Sequence, residues 1–278
     1  MAKKHIRMTI AYDFDGTLAD GNMQEHQFLP DIDMKSKAFW SEVKKLTKEH
    51  QADEVLVYMN LMLRKAAAAN VPVRREDFKE RGKTIKLFDG VEDWFDRITE
   101  YARQKGVKLD HVLVSSGNAE IFEGTTIRPK FSHVYASKFI FDENGAAVWP
   151  ALAVNYTTKT QYLFRINKDA HDLSDNGAVN KFVAKAERPV PFQNMVFIGD
   201  GATDIPCFRL VKEQGGLSVA VRAKGAQGRA DNYITEGRVH CVASANYSDG
   251  SDIDCIIKAQ IDAVVARSTI EALYRAKR

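Results

Sequence analysis

The residues best equipped for chemistry lie near the start of the chain, in Asp13-Phe14-Asp15-Gly16-Thr17-Leu18. They follow the apolar run Met8-Thr9-Ile10-Ala11-Tyr12, which reads as a short buried strand ended by a glycine turn. Side chains two apart on an extended segment point the same way, so Asp13 and Asp15 can converge. Two carboxylates held close repel each other, and a divalent cation beside them relieves that repulsion; an oxygen-rich pair suits Mg²⁺. Gly16 and Thr17 then turn the chain away and offer backbone N–H groups and a hydroxyl where a phosphate could rest. The competing reading is an ordinary acidic turn, since Asp and Gly are common turn residues. Partners elsewhere in the chain decide between the two.

Such partners occur, and each follows a short apolar run or opens a helix. Val112-Leu113-Val114 ends at Ser115-Ser116-Gly117, and Met195-Val196-Phe197-Ile198 ends at Gly199-Asp200-Gly201, with Asp204 four positions after Asp200. Thr157-Thr158-Lys159 opens a helical pattern, and Lys168 and Lys181 are rival cations nearby. Ser115 alone could be a turn residue, and Asp204 could instead cap a helix beginning near Ile205-Pro206.

The elements that must position these groups alternate. Residues 19–30 read as a loop punctuated by Gly21 and Pro30. Residues 34–69 are helical, with Phe39, Trp40, Val43 and Leu46 on one face and Asp53 capping a second helix that carries a Met-rich core stripe. Trp40, Tyr58 and the basic residues of this region could face a substrate, with core packing the preferred reading for Trp40. Arg74 to Phe78 starts a short helix, and Val91 to Ala102 forms an amphipathic one that ends at Lys105-Gly106. A helix over 119–127, a strand at 134–136 and a hairpin turning at Asp142-Glu143-Asn144-Gly145 follow. Residues 167–180 read as irregular, 179–186 as helical, 217–221 as a strand and 252–276 as a long terminal helix. Strands alternating with helices predict an α/β fold, a doubly wound parallel sheet covered on both faces. Ligands in such sheets bind at the carboxyl ends of the strands, where the acidic and hydroxyl groups above all fall.

Composition bounds the rest. A chain of 278 residues has room for one core domain with an inserted smaller one, and 45% hydrophobic with 28% charged residues is ordinary for a soluble protein. A net charge of +3 without a basic, aromatic-laced stripe argues against nucleic acid as a partner. The lysines at 35, 37, 44, 45 and 48 read as a solvated helix face. Cys207, Cys241 and Cys255 form no CxxC pair, which disfavours disulfides and structural zinc. Met1 to His5 lack the apolar core of a leader, and no run is long enough to span a membrane, so a cytoplasmic location is the expectation. No GxxxxGK[ST] or GxGxxG occurs.

Taken in order, Asp13-Phe14-Asp15-Gly16-Thr17, Val112-Leu113-Val114-Ser115, Lys159 and Gly199-Asp200-Gly201-Ala202-Thr203-Asp204 resemble the motifs of the haloacid dehalogenase-like hydrolases. The likeness is to the Mg²⁺-dependent phosphatases among them, and the spacing is similar to the phosphoserine-phosphatase-like branch. The resemblance implies a Rossmann-like core and an aspartyl-phosphate formed on Asp13, with Asp15 as acid and then base. It implies Mg²⁺ on Asp13, the Asp15 carbonyl and Asp200. Phosphoryl oxygens would rest on Ser115, Ser116, Gly117 and Lys159, with Thr17 in support. Asp204 becomes either an indirect metal ligand or the partner that fixes Lys159.

The same resemblance divides the chain into a core, 1–18 and 89–278, and a helical cap, 19–88, whose roughly seventy residues far exceed a loop. A closing cap favours a small phosphorylated metabolite over a phosphoprotein as substrate. Asp15 favours phosphate-ester chemistry within the family. The alternatives are a phosphotransferase or mutase, in which an acceptor hydroxyl replaces water, and a phospholigand-binding regulator without turnover; for the regulator Asp15 would be superfluous.

Overall fold

The computed structural model describes residues 6–223 and 229–277. Residues 1–5, on which the expectation of no leader rests, lie outside the described residues. Among the described residues, seven strands form one sheet in the order β4-β3-β2-β1-β5-β6-β7. They are β1 Ile6–Tyr12, β2 Val107–Asn118, β3 His133–Phe141, β4 Ala147–Leu152, β5 Met195–Gly199, β6 Leu217–Arg222 and β7 Cys241–Ser244. All neighbouring strands run parallel except β4, which returns antiparallel against β3. The α/β, doubly wound expectation is met.

Alternation along β1 explains why both faces are covered. Met8, Ile10 and Tyr12 enter one core with Trp94, Phe95 and Ile98 of helix Val91–Gln104 and with Ile253, Ile257 and Ile261 of helix Asp252–Ala276. Ala11 enters the other, with Val112, Val114 and Phe197, under Tyr162, Leu163 and Ile166 of helix Tyr156–Lys168 and Phe208 and Val211 of helix Ile205–Glu213. The period of two that alternates side chains between faces puts a helix layer on each.

Register then fixes where the chemistry falls. Tyr12 lies opposite Leu113 of β2 and Ile198 of β5, so the residues after these three positions leave the sheet at one edge. The chain goes from β1 to one side first and reaches the other side later, which opens a crevice at that edge.

Several elements differ from the sequence expectation. Residues 19–30 are not a plain loop: helices Met23–His26 and Phe28–Asp31 form there because Met23, Phe28 and Leu29 are buried. Strand β2 runs on through Ser115, Ser116 and Gly117, with a register shift against β3 between Ser115 and Asn118. The helix expected over 119–127 stops at Phe122, and that expected over 179–186 is replaced by Asn176–Asn180 and a short 3₁₀ turn at Lys185–Glu187. Phe182 in that stretch is 86% exposed, so no apolar face holds a helix there. Strand β7 and helix Arg229–Thr235, each too short to declare a period, were not foreseen.

Between β1 and helix Val91–Gln104 the chain forms the longer helices Ser36–His50, Glu54–Ala68 and Arg75–Gly82. The last of these lies backbone to backbone on helix Ala119–Phe122 and the turn after it. A Cβ at Gly124 would come within 1.8 Å of the Lys79 carbonyl oxygen, and one at Gly82 within 2.0 Å of that of Ile121. Gly124→Ala is therefore expected to lower stability by about 1–3 kcal/mol, the usual cost of forcing atoms into a filled space. Urea denaturation measures it, and an unchanged midpoint would contradict such close packing.

Candidate active site

Phe14 packs edge-on against Phe122, 5.2 Å between ring centres, and is fully buried. Because neighbours on an extended segment point oppositely, burying Phe14 turns Asp13 and Asp15 the other way. The Asp13 N–H donates to the Ile198 carbonyl at 2.9 Å, continuing the β1–β5 pairing one step past the strand. Gly16 then turns at φ +71°, with the Leu18 N–H donating to the Phe14 carbonyl at 2.8 Å. A Cβ at Gly16 would lie 2.4 Å from Asp200 Oδ2, so conformation and space both call for glycine.

Lys159, from the first turn of helix Tyr156–Lys168, is fully buried. Its Nζ lies 3.1 Å from Asp13 Oδ1 and 2.7 Å from Asp204 Oδ1. Burial pulls its pKa down, but Asp13 and Asp204 together outweigh burial and the net direction is up, so the ammonium stays charged. The rivals are elsewhere: Lys168 Nζ donates to the carbonyls of Val179 and Lys181, and Lys181 is exposed.

Asp204 answers the choice left open by the sequence. Its Oδ2 accepts from the N–H groups of Asp200 (3.1 Å) and Gly201 (3.0 Å) while Oδ1 holds Lys159, so its side chain does not cap the helix that follows. Burial first, and then Asp13, push its carboxyl up to about 6 despite Lys159. Asp200 is raised well above the usual range by burial, then by Asp204 and Asp13. Thr17 Oγ1 donates to Asp200 Oδ1 at 3.4 Å. Carboxylate oxygens of Asp13, Asp200 and Asp204 come within 4.8 Å of one another.

The Asp15 carboxylate is not one of that trio and accepts the Met23 N–H at 2.8 Å. Burial, followed by the charge of Asp13, raises its pKa well above the carboxylate range. On the neighbouring strand Ser115 is buried and its Oγ accepts the Gly117 N–H at 3.1 Å, leaving the hydroxyl hydrogen available to donate. The Ser116 carbonyl accepts from Tyr58 at 2.7 Å, and a Cβ at Gly117 would meet Met23 Cε at 2.5 Å. Asp13, Asp15, Thr17, Ser115, Ser116, Gly117, Lys159, Asp200 and Asp204 thus lie around one rim, and the rival lysines do not.

Met23, Gln24, Asn118 and Tyr247 join this rim without a signal in the sequence. The Met23 sulfur accepts the Asn118 N–H at 3.0 Å, and Gln24 donates to the Asn118 side chain at 2.9 Å. Tyr247, from the loop after β7, donates to the Thr17 carbonyl at 3.0 Å. Trp40 does more than pack: its indole N–H donates to Glu25 at 2.6 Å. These bonds join residues far apart in the chain, and no local spacing announces them.

A mostly parallel sheet whose central strand leads into paired aspartates, flanked by the serine-bearing end of β2 and an acidic turn after β5 over a buried lysine, defines a class of α/β hydrolytic enzymes. The model of the haloacid dehalogenase-like hydrolase family matches residues 10–209, and the chain belongs to that family. It is 28% identical over 284 residues to an uncharacterized protein of Borreliella burgdorferi, covering 91% of this chain and 96% of that one. A haloacid dehalogenase family hydrolase from Salmonella enterica serovar Typhi superposes with a TM-score of 0.56 at 14% identity, over 90% of this chain and 69% of that one. A substrate-bound phosphoserine phosphatase gives 0.55 at 19% identity, over 91% and 98%. At such identities the likeness is one of fold. Among the described residues, no helix is long and apolar enough to cross a membrane.

Proposed function

We propose that this chain is a Mg²⁺-dependent phosphatase that hydrolyses a small phosphate monoester through an aspartyl-phosphate on Asp13. The observation that carries the reading is the fully buried Lys159, held between Asp13 at 3.1 Å and Asp204 at 2.7 Å. A charged lysine so placed has a task at Asp13 that an exposed helix lysine lacks.

The residues fit a hard cation. The converging donors are carboxylate oxygens of Asp13, Asp200 and Asp204 without histidine or cysteine, three acidic groups beside the cation Lys159. Lys159 and the two N–H groups occupy Asp204, so Asp13, Asp200 and the Asp15 carbonyl are the groups to hold Mg²⁺. The bound ion supplies positive charge to the phosphoryl oxygens.

In the first displacement an Asp13 oxygen bonds to phosphorus as the bond to the ester oxygen breaks, and Asp15 gives that oxygen its proton. The upward shift of Asp15 suits it to hold a proton until then. In the second, Asp15 takes a proton from water, which attacks phosphorus and frees phosphate from Asp13. Lys159, the Ser115 hydroxyl and the Ser116 backbone N–H bind the equatorial oxygens, while the Gly117 N–H holds Ser115 Oγ in place.

Residues 19–88 act as the cap and 1–18 with 89–278 as the core. The bond from Tyr58 to the Ser116 carbonyl supports a lid that seats on the site and admits small substrates.

Dialysis against a chelator is expected to abolish hydrolysis of an aryl phosphate, and added Mg²⁺ to restore it. Full activity in metal-free buffer would refute the metal assignment. Product analysis with added alcohols separates hydrolysis from transfer: phosphorylated alcohol as the main product would favour the transferase reading.

A further inference from the structure

Besides Met23 and Gln24, the insert meets the phosphate-binding rim at the N-cap and in the first half of helix Glu54–Ala68. Tyr58, buried in the first half of this helix, donates from its hydroxyl to the Ser116 carbonyl at 2.7 Å. Its ring stands edge-on to Trp40, 5.7 Å between centres, so it has little freedom to swing away. The Ser116 carbonyl is the backbone group between Ser115 and Gly117, and holding it fixes the end of β2 that would bind phosphate.

The second contact is at the helix start. Asp53 divides its carboxylate: Oδ1 caps its own helix, accepting from Val55 N at 2.9 Å and Leu56 N at 3.1 Å. Oδ2 accepts from Asn155 Nδ2 at 2.8 Å. Asn155 is the N-terminal cap residue of helix Tyr156–Lys168, the element that presents Lys159. The N-termini of the lid helix and the lysine helix are therefore tied to each other through one carboxylate.

Resting on the phosphatase reading above, we propose that Asp53 and Tyr58 are positioning residues that hold the serine-bearing end of β2 and the lysine helix at a fixed separation. A single rigid helix then sets the spacing of two groups that must grip the same phosphoryl oxygens. Groups on separate loops lose catalytic power when misplaced by as little as an ångström. A lid that carries this ruler grips phosphate only while seated, and releasing the lid loosens both grips together. Chemistry and product release are thereby coupled to one motion.

The test uses inorganic phosphate as the probe, as a competitive inhibitor of aryl phosphate hydrolysis by the full chain. Tyr58→Phe keeps the ring against Trp40 and removes only the hydroxyl. Asp53→Ser keeps a good helix cap but is too short to reach Asn155. Each variant is expected to raise the inhibition constant for phosphate and lower kcat/KM by about 3–10-fold, the scale of one lost hydrogen bond. The double variant is expected to fall short of the product of the two, because either break already frees the helix. The half-saturating Mg²⁺ concentration stays unchanged, which a general loosening of the fold would not allow.

Wild-type phosphate inhibition in both variants would overturn the proposal, as would a parallel shift in Mg²⁺ dependence. Absence of turnover in the wild-type enzyme itself would overturn the phosphatase reading and this inference with it. Wild-type turnover with unchanged variants overturns this inference alone.

Discussion

Asp13→Asn is expected to lower hydrolysis of p-nitrophenyl phosphate by about 10⁴-fold or more, the scale of deleting a covalent nucleophile. An amide has the shape of the carboxylate but no charge with which to attack phosphorus. The fold should survive, because Asp13 is tied into the sheet by its backbone: its N–H meets the Ile198 carbonyl at 2.9 Å whatever the side chain. The change also removes a negative charge that pushes on both Asp15 and Asp200. Lys159 keeps Asp204. The unfolding midpoint of the variant is therefore expected to equal or exceed that of wild type. Activity within tenfold of wild type would sink the nucleophile assignment, and a collapsed midpoint would show that Asp13 is structural.

Lys159→Met produces the second large effect, and it falls on stability as well as activity. Methionine fits the apolar path of the lysine stem but leaves Asp13 and Asp204 buried without their cation. Removing one member of a buried ionic group costs on the order of 3–5 kcal/mol, since the remaining charge has neither water nor a partner. A surface pair would cost at most about 1 kcal/mol, so the size of the loss separates the two descriptions. Urea denaturation of the metal-free protein gives the number without reference to turnover. A loss near the surface value would mean that the lysine is solvated and would weaken its proposed task.

Much of this molecule can be read along the chain. Asp13-Phe14-Asp15-Gly16-Thr17 carries its own geometry, since alternation sets both carboxylates opposite a buried Phe14 and only glycine suits the turn against Asp200. Apolar runs ended by small polar residues marked β1, β2 and β5, and helical periodicity marked helices Val91–Gln104 and Asp252–Ala276. The Asp53 cap was equally readable, because a cap is a contact between residues two or three apart.

What tertiary structure decided is of another kind. Lys159, Lys168 and Lys181 are the same residue type on similar polar stretches, and only packing of helix Tyr156–Lys168 against the sheet buries the first between two aspartates. Asp204 was compatible with a helix cap, a metal site or a lysine partner until β5 and that helix came together. The short elements Met23–His26 and β7, and the bonds from Met23, Tyr58 and Tyr247 to the rim, had no periodic mark at all. The physical reason is one of range. Local backbone preference and side-chain alternation act over a few residues and are written in spacing, whereas burial and charge pairing depend on which distant segments the sheet order makes neighbours.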